Sequence, residues 1–446
     1  MNRRRFLQAS AAALAAAPSL VRAAAGERPL RVGLIGTGWY GKTDLLHLMQ
    51  VAPVEVVGLC DVDQRLLEEG AQLVAGRQPS GQTPPTFVDY REFLKSQQPE
   101  IVLVGTPDHW HCLPMIDAVR AGADVYVQKP ISFDVVEGQA MVAAARKYGR
   151  TVQVGLQRRS TPHLQEAYQK YVESGRLGRI ASVEIHSYYG PPGEFGAVEP
   201  PPAELDWDRY VGPAPWRDYR PGIHPRSWRA CAEFSNGRTG DLCVHFFDAV
   251  RMMLGLGWPK SVSAVGGRLM RPNDSTVNVH DTQTATFDYG DTQVVWTQRD
   301  WGVPPDPDYL WGATLYGEHG ALKLSVHKYD FLPQRGDPEH GDWLDESDKY
   351  PEDRAYKPTE LFAAAATRAH MRDFLAARAE GRRPVADIGE GHISTACCLL
   401  ANLSMRLGRS LAYDDEKRAV IGDEEATKLL AREYREPWVH PTPETV

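Results

Sequence analysis

The sequence predicts an α/β protein in which an N-terminal doubly wound parallel sheet is followed by a second α+β domain with a large, mostly antiparallel open sheet. In the first part of the chain, short β-branched runs alternate with helical patterns, as in parallel strands joined by crossover helices. After about residue 156 the strand-like runs follow one another directly, several across short glycine turns, which favours antiparallel pairing. The roughly 420 residues beyond the N-terminal segment suit two domains better than one core.

The first 25 residues, MNRRRFLQASAAALAAAPSLVRAAA, predict an export signal. A basic start precedes an uncharged, alanine-rich stretch, and Ala23 and Ala25 suit a signal-peptidase site. The RR-x-F-L core resembles the twin-arginine signal, which serves proteins that fold before export. An ordinary secretory signal and an amphipathic N-terminal helix are the alternatives. We expect a periplasmic or extracellular protein and leave residues 1–25 out of the fold.

Charge and cysteine content disfavour several kinds of partner and site. The formal net charge is −8, and loss of a signal with four arginines and no acids would leave about −12, which argues against nucleic acid and anionic membranes. No other stretch approaches the ~20 apolar residues of a spanning helix, so we expect no stable membrane insertion. The six cysteines show no zinc-site spacing, and no metal is predicted. The sequence leaves open whether Cys231 and Cys243 pair.

A nucleotide cradle is predicted where the strand LRVGLI meets a helical pattern beginning near residue 42. The intervening G-x-G-x-x-G motif consists of Gly36, Thr37, Gly38, Trp39, Tyr40 and Gly41. Glycines at these positions permit a tight turn, close approach of the backbone to a pyrophosphate, and close packing of helix on strand. The helix N-terminus offers free N–H groups and a positive dipole end to the phosphates.

The second predicted strand, EVVGLC, ends at Asp61, 20 residues after Gly41. An acid at this distance suits hydrogen bonding to ribose hydroxyls. A carboxylate there would repel a 2′-phosphate, so we expect NAD rather than NADP. The alternative is a βαβ unit with incidental glycines and a solvent-exposed acid.

Further candidates follow other predicted strands, because ligands of parallel sheets bind at the carboxyl ends of the strands. The residues after IVLVG and after DVYV are Thr106, Pro107, Asp108, His109, His111, Gln128 and Lys129. A lysine at the mouth of a buried strand could hydrogen-bond a substrate hydroxyl and favour a developing alkoxide. Its alternative is a solvated loop lysine.

A second constellation lies in GDLCVHFFDAVRMML, where Asp241, His245 and Asp248 are spaced four and three apart. On one α-helix these three would share a face. A carboxylate one turn from a histidine can orient the imidazole, which could then take a proton as hydride leaves the adjacent carbon. The alternative is the polar stripe of an amphipathic helix.

Taken together in this order, these motifs resemble the Gfo/Idh/MocA family of nicotinamide-dependent oxidoreductases along nearly the whole chain after the signal. The matching stretches are GTGWYG, TPDHWH, QKP, VGLQRRSTP, LDWDRYVGPAP, the G-D-x-x-x-H of residues 240–245, RRPVADIGEGHISTACCLLANLSMRLGRSLAYD and YREPW. The resemblance implies that Lys129, Asp241 and His245 carry the chemistry and that Lys129–Pro130 is a cis peptide. It implies His245 as acid/base, and Asp241 as a substrate-binding or orienting group.

Two further positions follow from the resemblance. Arg158, in LQRR, sits where the family often reaches toward cofactor or substrate. Gln128 replaces the glutamate that usually precedes the catalytic lysine. We interpret this departure as a change in cofactor contacts rather than a loss of activity, because the three proposed chemical residues remain.

The predicted domains are a Rossmann dinucleotide-binding domain at 26–155 with a return helix at about 385–410, a substrate and oligomerisation domain at 156–384, and a C-terminal tail at 411–446 packing on the body. The proline-rich insertion 190–239 contributes Trp207, Trp228 and Arg229 as candidate sugar contacts, because aromatic faces suit sugar C–H faces. A proline-stiffened surface loop is the alternative. Association through the outer face of the second sheet, as a homodimer or homotetramer, is implied by the resemblance.

Three functions remain in view. The first is a plain NAD-dependent dehydrogenase of a sugar, polyol or glycoside hydroxyl. The second is a redox-neutral enzyme that oxidises a sugar and restores its own tightly bound NAD, by hydride exchange between sugars or by oxidation and elimination at a glycoside. The third is a sugar-binding protein that has lost its chemistry, and the retained Lys129, Asp241 and His245 argue against it. Export favours the second, since no pool of free NAD exists outside the cytoplasm.

Overall fold

The computed structural model describes residues 28–446, and the predicted export signal lies outside this range. Its first domain is built on a six-stranded sheet in the order β3-β2-β1-β4-β5-β6, with every neighbouring pair parallel. The strands are β1 Leu30–Ile35, β2 Val54–Cys60, β3 Thr86–Phe87, β4 Ile101–Val104, β5 Asp124–Val127 and β6 Val152–Val154. The order reverses between β1 and β4, which places a ligand crevice there.

Helices connect these strands and continue through the chain. They are α1 Trp39–Val51, α2 Gln64–Ala75, α3 Tyr90–Gln97, α4 Cys112–Arg120, α5 Val135–Tyr148, α6 Pro162–Ala167, α7 Trp207–Val211, α8 Val244–Leu254, α9 Glu352–Ala355, α10 Leu361–Glu380, α11 Ile388–Leu407 and α12 Glu424–Lys428. Among residues 28–446, none of them combines the length and the apolar character needed to cross a bilayer.

The second domain contains an eight-stranded sheet in the order β14-β13-β12-β11-β7-β10-β9-β8. Its strands are β7 Ile180–Ser187, β8 Ser261–Gly267, β9 Thr282–Asp288, β10 Gln293–Arg299, β11 Trp311–Gly317, β12 Gly320–Ser325, β13 Lys328–Pro333 and β14 Glu339–Asp342. All neighbours are antiparallel except β7 and β10. The fold is therefore the predicted mixed α/β architecture. A short pair, β15 Tyr413–Asp414 and β16 Ala419–Val420, begins the tail.

Two long helices bind the domains together. The predicted return helix corresponds to α11, which packs on α5 of the first domain and on β8 of the second. Helix α10 lies within the predicted second domain by sequence, yet Met371 and Phe374 are buried in the core formed with β1 and β2. By its packing α10 belongs to the first domain.

Candidate active site

One cavity of about 390 Å³ runs from the carboxyl ends of β1, β2 and β4 to α8 in the second domain. At one end it is lined by Asp61, Tyr90 and Arg91, and at the other by Lys129 and His245. Most of the residues predicted for cofactor and substrate lie along it. The cavity therefore joins a nucleotide cradle to a cluster of titratable groups.

The glycine-rich turn has the geometry that a dinucleotide requires. Gly36 has φ +92°, and a Cβ there would lie 2.6 Å from the backbone of Gly105. A Cβ on Gly41 would lie 2.0 Å from the carbonyl oxygen of Gly36, so close contact between α1 and β1 excludes a side chain. A Cβ on Gly38 would meet nothing within 4 Å, and Gly38 begins α1 without a side-chain cap. This leaves the first N–H groups of α1 open toward the cavity for a pyrophosphate.

Asp61 lies at the end of β2, where the ribose acid is expected. Its Oδ2 accepts hydrogen bonds from Thr37 N (2.7 Å) and Thr37 Oγ1 (3.1 Å), and its Oδ1 accepts one from Asp63 N (3.0 Å). Burial raises the pKa of Asp61, against these bonds, which lower it. Thr37 is fully buried and does not line the cavity, so the structure corrects its role from cofactor contact to support of Asp61.

Gln128 lines the cavity and is paired with a buried carboxyl group. Its Nε2 donates a 2.6 Å hydrogen bond to Oδ2 of Asp44 on α1, and its Oε1 accepts one from Lys129 N at 3.2 Å. Burial raises the pKa of Asp44 to about 7, despite the opposing bond from Gln128. Position 128 thus lacks the acid that the resemblance implies, but its side chain is hydrogen-bonded to the carboxyl group of Asp44.

The two histidines after β4 differ in position, since His111 lines the cavity and His109 does not. The ring nitrogens of His111 lie 2.6 Å from Pro130 O and 2.8 Å from Thr106 O, which ties the β4 loop to the β5 loop. His109 does not line the cavity; its Nε2 lies 2.9 Å from Tyr210 O, so its predicted cofactor contact is corrected. Burial lowers the pKa of His109 to about 3 and of His111 to about 4, so both are neutral.

Lys129 and Asp241 meet at the opposite end of the cavity. Lys129 Nζ pairs with Asp241 Oδ1 and donates a 2.9 Å hydrogen bond to Asp241 O, while Arg229 Nε lies 3.3 Å from the same carboxylate oxygen. Burial alone would raise the pKa of Asp241, but Lys129 and Arg229 outweigh it and hold that pKa well below its usual range. The Lys129–Pro130 peptide is cis, as the resemblance implies.

His245 lines the cavity on the second domain's side, and its imidazole is uncharged at neutral pH. Burial lowers its pKa most, and the charges of Lys129 and Arg158 lower it further, well below the usual value. Its ring lies edge-on to Trp311, 5.4 Å between centroids, and its buried Nδ1 has no hydrogen-bond partner among residues 28–446. A neutral imidazole facing a cavity can accept a proton from a ligand.

The spacing of Asp241, His245 and Asp248 leads to a different arrangement from the predicted one. Residues Thr239–Cys243 form a π-helical turn before α8 begins, which widens the helix there. Asp241 bonds Lys129 and makes no hydrogen bond to His245. Asp248 faces away from the cavity and accepts two bonds from Arg159, at 2.7 and 2.8 Å. The shared polar face predicted for these three residues is therefore wrong.

The proline-rich insertion contributes only part of its predicted contacts. Trp228 and Arg229 line the cavity, with the Arg229 guanidinium 4.2 Å above the Trp228 ring. Trp207 is 4% exposed and does not line the cavity. It stacks on Tyr210, at 4.8 Å, inside a separate hydrophobic cluster of the insertion. Its predicted role as a sugar contact is therefore wrong, because the ring is used to fold the insertion.

Several cavity residues were missed by sequence reasoning. Trp311 begins β11, Glu360 precedes α10 and accepts a 2.6 Å hydrogen bond from the Tyr40 hydroxyl, and Trp438 lies in the C-terminal tail. Only Trp438 carried a signal, since it closes the YREPW stretch. Cys231 and Cys243, left open above, are buried free thiols, as are the other four cysteines.

Comparison with known proteins agrees with this geometry. The model described as "Oxidoreductase family, NAD-binding Rossmann fold" matches residues 30–156, "GFO/IDH/MocA C-terminal domain" matches 166–323, and "Oxidoreductase family, C-terminal alpha/beta domain" matches 359–440. The uncharacterized oxidoreductase YrbE of Bacillus subtilis is 25% identical over 60% of this chain and 66% of its own length. A glycosyl hydrolase family 109 protein of Shewanella pealeana is 29% identical over 26% of each chain.

Solved structures share the fold. An oxidoreductase from Agrobacterium radiobacter, in complex with NAD+, L-tartaric acid and magnesium, aligns with a TM-score of 0.66 at 16% identity, covering 86% of this chain and 98% of that one. Aldose–aldose oxidoreductase from Caulobacter crescentus aligns with a TM-score of 0.63 at 18% identity, covering 86% and 100%. With its three matched domains, the glycine cradle and the Lys129–Asp241–His245 cluster, this chain belongs to the Gfo/Idh/MocA family of NAD-binding oxidoreductases.

Proposed function

We propose that this protein is an exported oxidoreductase that oxidises a sugar, polyol or glycoside hydroxyl with a tightly held NAD and restores that NAD within each cycle. The observation that carries the proposal is the single cavity joining the Gly36–Gly41 turn to Lys129, Asp241 and His245. Relatives of the chain include proteins named as family 109 glycosyl hydrolases and as an inositol dehydrogenase. These names support a carbohydrate substrate.

The residues present fit NAD. The open space at Gly38 and the start of α1 suit the pyrophosphate, and Asp61 suits the ribose hydroxyls and disfavours a 2′-phosphate. When bound, NAD accepts and returns the hydride. Gln128, Thr106 and Pro107 line the stretch of cavity between the ribose acid and the catalytic lysine.

The chain's own groups supply the proton chemistry. Lys129 Nζ, held by Asp241, is placed to donate a hydrogen bond to the substrate hydroxyl oxygen and to stabilise negative charge there. His245, neutral in the buried site, takes the hydroxyl proton on an imidazole nitrogen and returns it in the reverse step. Asp241 stays ionised between Lys129 and Arg229 and keeps the lysine ammonium in place.

The position of the C-terminal tail, which forms one wall of the cavity, supports the proposal that NAD is retained. Trp438 lines the cavity beside Arg91, at the end with Asp61 and Tyr90, which we assign to the adenosine of NAD and call the adenosine end. Its ring lies edge-on to Trp110 at 4.8 Å, and the Arg91 guanidinium lies 5.2 Å from its centroid. Arg435 anchors this segment by donating to Gly212 O at 3.0 Å and to Asp208 Oδ1 at 2.7 Å. A wall held in this way hinders loss of the cofactor. A cofactor that never leaves requires a redox-neutral cycle or a second substrate that reoxidises it.

We also propose association as a homodimer or homotetramer through the outer face of the eight-stranded sheet. Val265, Tyr316 and Leu332 lie on β8, β11 and β13 and are 72%, 41% and 39% exposed. Apolar side chains on an uncovered sheet face favour contact with another copy. Light scattering on the purified protein measures the assembly, and a monomer at micromolar concentration contradicts this part of the proposal.

The test of function is the cofactor content of protein purified from its exported form without added nucleotide. The protein is dialysed extensively and denatured, and NAD plus NADH is assayed per mole of chain. Near-stoichiometric cofactor, with its redox state changed by sugars or glycosides in the absence of added NAD, is the expected result. A protein that emerges empty and binds NAD weakly contradicts the retained-cofactor cycle and leaves a dehydrogenase with exchangeable NAD.

A further inference from the structure

Arg158 is a buried cation without a partner. Among residues 28–446, the arginines at most 4% exposed are Arg158, Arg159, Arg251 and Arg368. The last three each lie within 3.3 Å of a carboxylate oxygen. Arg158 has no ion pair within the described chain, and its buried Nε and Nη1 have no hydrogen-bond partner there. Since a guanidinium keeps its charge in proteins, an unpaired one inside the fold is strongly unfavourable.

The unpaired guanidinium belongs to the substrate end of the cavity. Arg158 lines that cavity together with His245 and Trp311, and its guanidinium carbon lies 5.5 Å from the Trp311 ring centroid. The Trp311 ring in turn lies 5.4 Å from the imidazole of His245. The charge of Arg158 also lowers the pKa of His245, which places the two side chains in the same part of the site. A ligand group that reaches Arg158 is therefore close to the proposed acid/base.

The other charged groups near Arg158 make their hydrogen bonds elsewhere. Lys129 and Arg229 share the carboxylate of Asp241, and Glu360, whose charge also acts on Arg158, accepts the hydroxyl of Tyr40. The Nε and Nη1 donors of Arg158 are thus left without an acceptor among residues 28–446. A carboxylate matches a guanidinium in charge and shape, accepting two parallel hydrogen bonds, whereas a phosphate dianion would find only one unpaired cation.

We infer that the substrate is a sugar acid, a uronic or aldonic acid or its glycoside, whose carboxylate pairs with Arg158 while its hydroxyl is oxidised beside Lys129 and His245. This inference rests on the proposed oxidoreductase function and names its substrate class. Binding of the acid would neutralise the one unpaired buried arginine of the described chain.

The test compares matched acid and neutral probes on the NAD-loaded protein: D-glucuronate with D-glucose, D-galacturonate with D-galactose, and D-gluconate with D-sorbitol. In a single turnover, the second-order rate constant for reduction of the bound NAD gives kcat/KM for that half-reaction, and the shift in Tm with each probe gives binding without turnover. We expect at least one acid to exceed its neutral partner in both readouts. Arg158→Met should lower the acid-to-neutral ratio of kcat/KM by about 100-fold. Arg158→Lys should lower it by less, because lysine keeps the charge but cannot donate two parallel hydrogen bonds to a carboxylate.

Four outcomes overturn the inference. In the first, no acid binds better than its neutral partner. In the second, Arg158→Met lowers acid and neutral probes equally. In the third, the variant loses bound NAD while its acid-to-neutral ratio is unchanged, which assigns Arg158 to the pyrophosphate. In the fourth, the wild-type protein prefers glucose 6-phosphate to glucuronate, which assigns Arg158 to a phosphorylated sugar. Acid binding that depends on Arg158 without any change in the redox state of NAD would instead contradict the proposed function alone.

Discussion

Lys129 Nζ and the carboxylate of Asp241 form an ion pair at the domain interface, reinforced by a 2.9 Å hydrogen bond from the same Nζ to the Asp241 carbonyl oxygen. Lys129 follows β5 of the first domain, and Asp241 lies in the π-helical turn before α8 of the second. The contact therefore joins the nucleotide cradle to the substrate domain at the point where chemistry is proposed.

Lys129→Ala is expected to abolish turnover while NAD stays bound, because the ammonium acts on the substrate oxygen and the cradle lies elsewhere. A fall in kcat of at least about 1,000-fold with unchanged NAD stoichiometry is the predicted result. Both quantities are measured on dialysed protein. Retention of full activity would remove Lys129 from the mechanism.

His245→Ala is expected to lower kcat by about 100- to 10,000-fold, the usual range for loss of a general base. Because burial, Lys129 and Arg158 hold the pKa of His245 well below its ordinary value, the wild-type rate should not fall through His245 protonation between pH 8 and pH 6. A pH–rate profile of the NAD-loaded protein measures this. A wild-type loss near pH 6.5 that is absent from the variant would contradict the neutral-imidazole assignment.

Gln128→Glu introduces the glutamate that the resemblance implies at this position, and it places a new carboxyl against that of Asp44. In the structure, Asp44 Oδ2 lies 2.6 Å from the Gln128 amide nitrogen. Two buried carboxyl groups at this distance must share a proton, so their folded-state pKa rises. A raised folded pKa gives stability that is complete below the unfolded pKa and is lost as pH rises through the folded value. We expect the variant to lose on the order of 2 kcal/mol relative to wild type between pH 5 and pH 8.

Urea unfolding at both pH values measures that loss. The double variant Asp44→Asn with Gln128→Glu reverses the amide–carboxylate pair and should recover most of the stability. A double variant no more stable at pH 8 than Gln128→Glu alone would show that Asp44 is not the cause.

The buried carboxyl of Asp108 predicts a second dependence of the protein's stability on pH. It is 2% exposed and lines the cavity; burial and the charge of Asp241 raise its pKa to about 7, against Lys129 and Arg229. Since the unfolded value is 3.8, the protonated carboxyl stabilises the fold at low pH, and this contribution disappears as pH rises through about 7. Asp108→Asn should therefore flatten the fall in Tm between pH 5 and pH 8. An unchanged slope would mean that Asp108 is ionised throughout.

Arg158→Met and Arg159→Met form a matched pair of neighbouring substitutions with opposite expected effects. Arg158 has no carboxylate partner, so removing its charge should leave the Tm of the protein without substrate unchanged or higher. Arg159 is bound by Asp248 at 2.7 and 2.8 Å, so its loss removes the closest cation of a buried carboxylate and leaves Arg251 at 4.0 Å, at a cost of about 3 kcal/mol. Thermal unfolding compares the two. A large destabilisation by Arg158→Met would point to a structural role.

Trp438→Ala should weaken cofactor retention by about tenfold, since an aromatic contact at the adenosine end is lost. The dissociation rate of bound NAD during dilution into excess nucleotide-free buffer gives the measurement. Trp301→Ala is the control, because Trp301 is 39% exposed and does not line the cavity. Equal dissociation rates of NAD in the two variants would show that Trp438 in the C-terminal tail does not hold the cofactor.

The sequence by itself determined the features that depend on local pattern and backbone geometry. The alternation of strand and helix patterns predicted the parallel sheet and the succession of its strands and helices along the chain. The glycine motif predicted the tight turn at Gly36, and the spacing from it predicted Asp61, at the end of β2, as the acid that would bind the ribose. Lys129 was found because it follows a strand whose end must lie at the ligand crevice.

Only the tertiary structure decided which polar side chains face the cavity. Thr37, His109 and Trp207 lie in the predicted stretches but are used inside the fold. Asp241 lies in a π-helical turn, whereas Asp248 lies on α8 and pairs with Arg159. Glu360, Trp311 and Trp438 reach the cavity from segments far along the chain. Local periodicity carries no information about such long-range contacts, since they depend on how helices and sheets pack. For the same reason, the missing partner of Arg158 could be recognised only when every neighbour was in place.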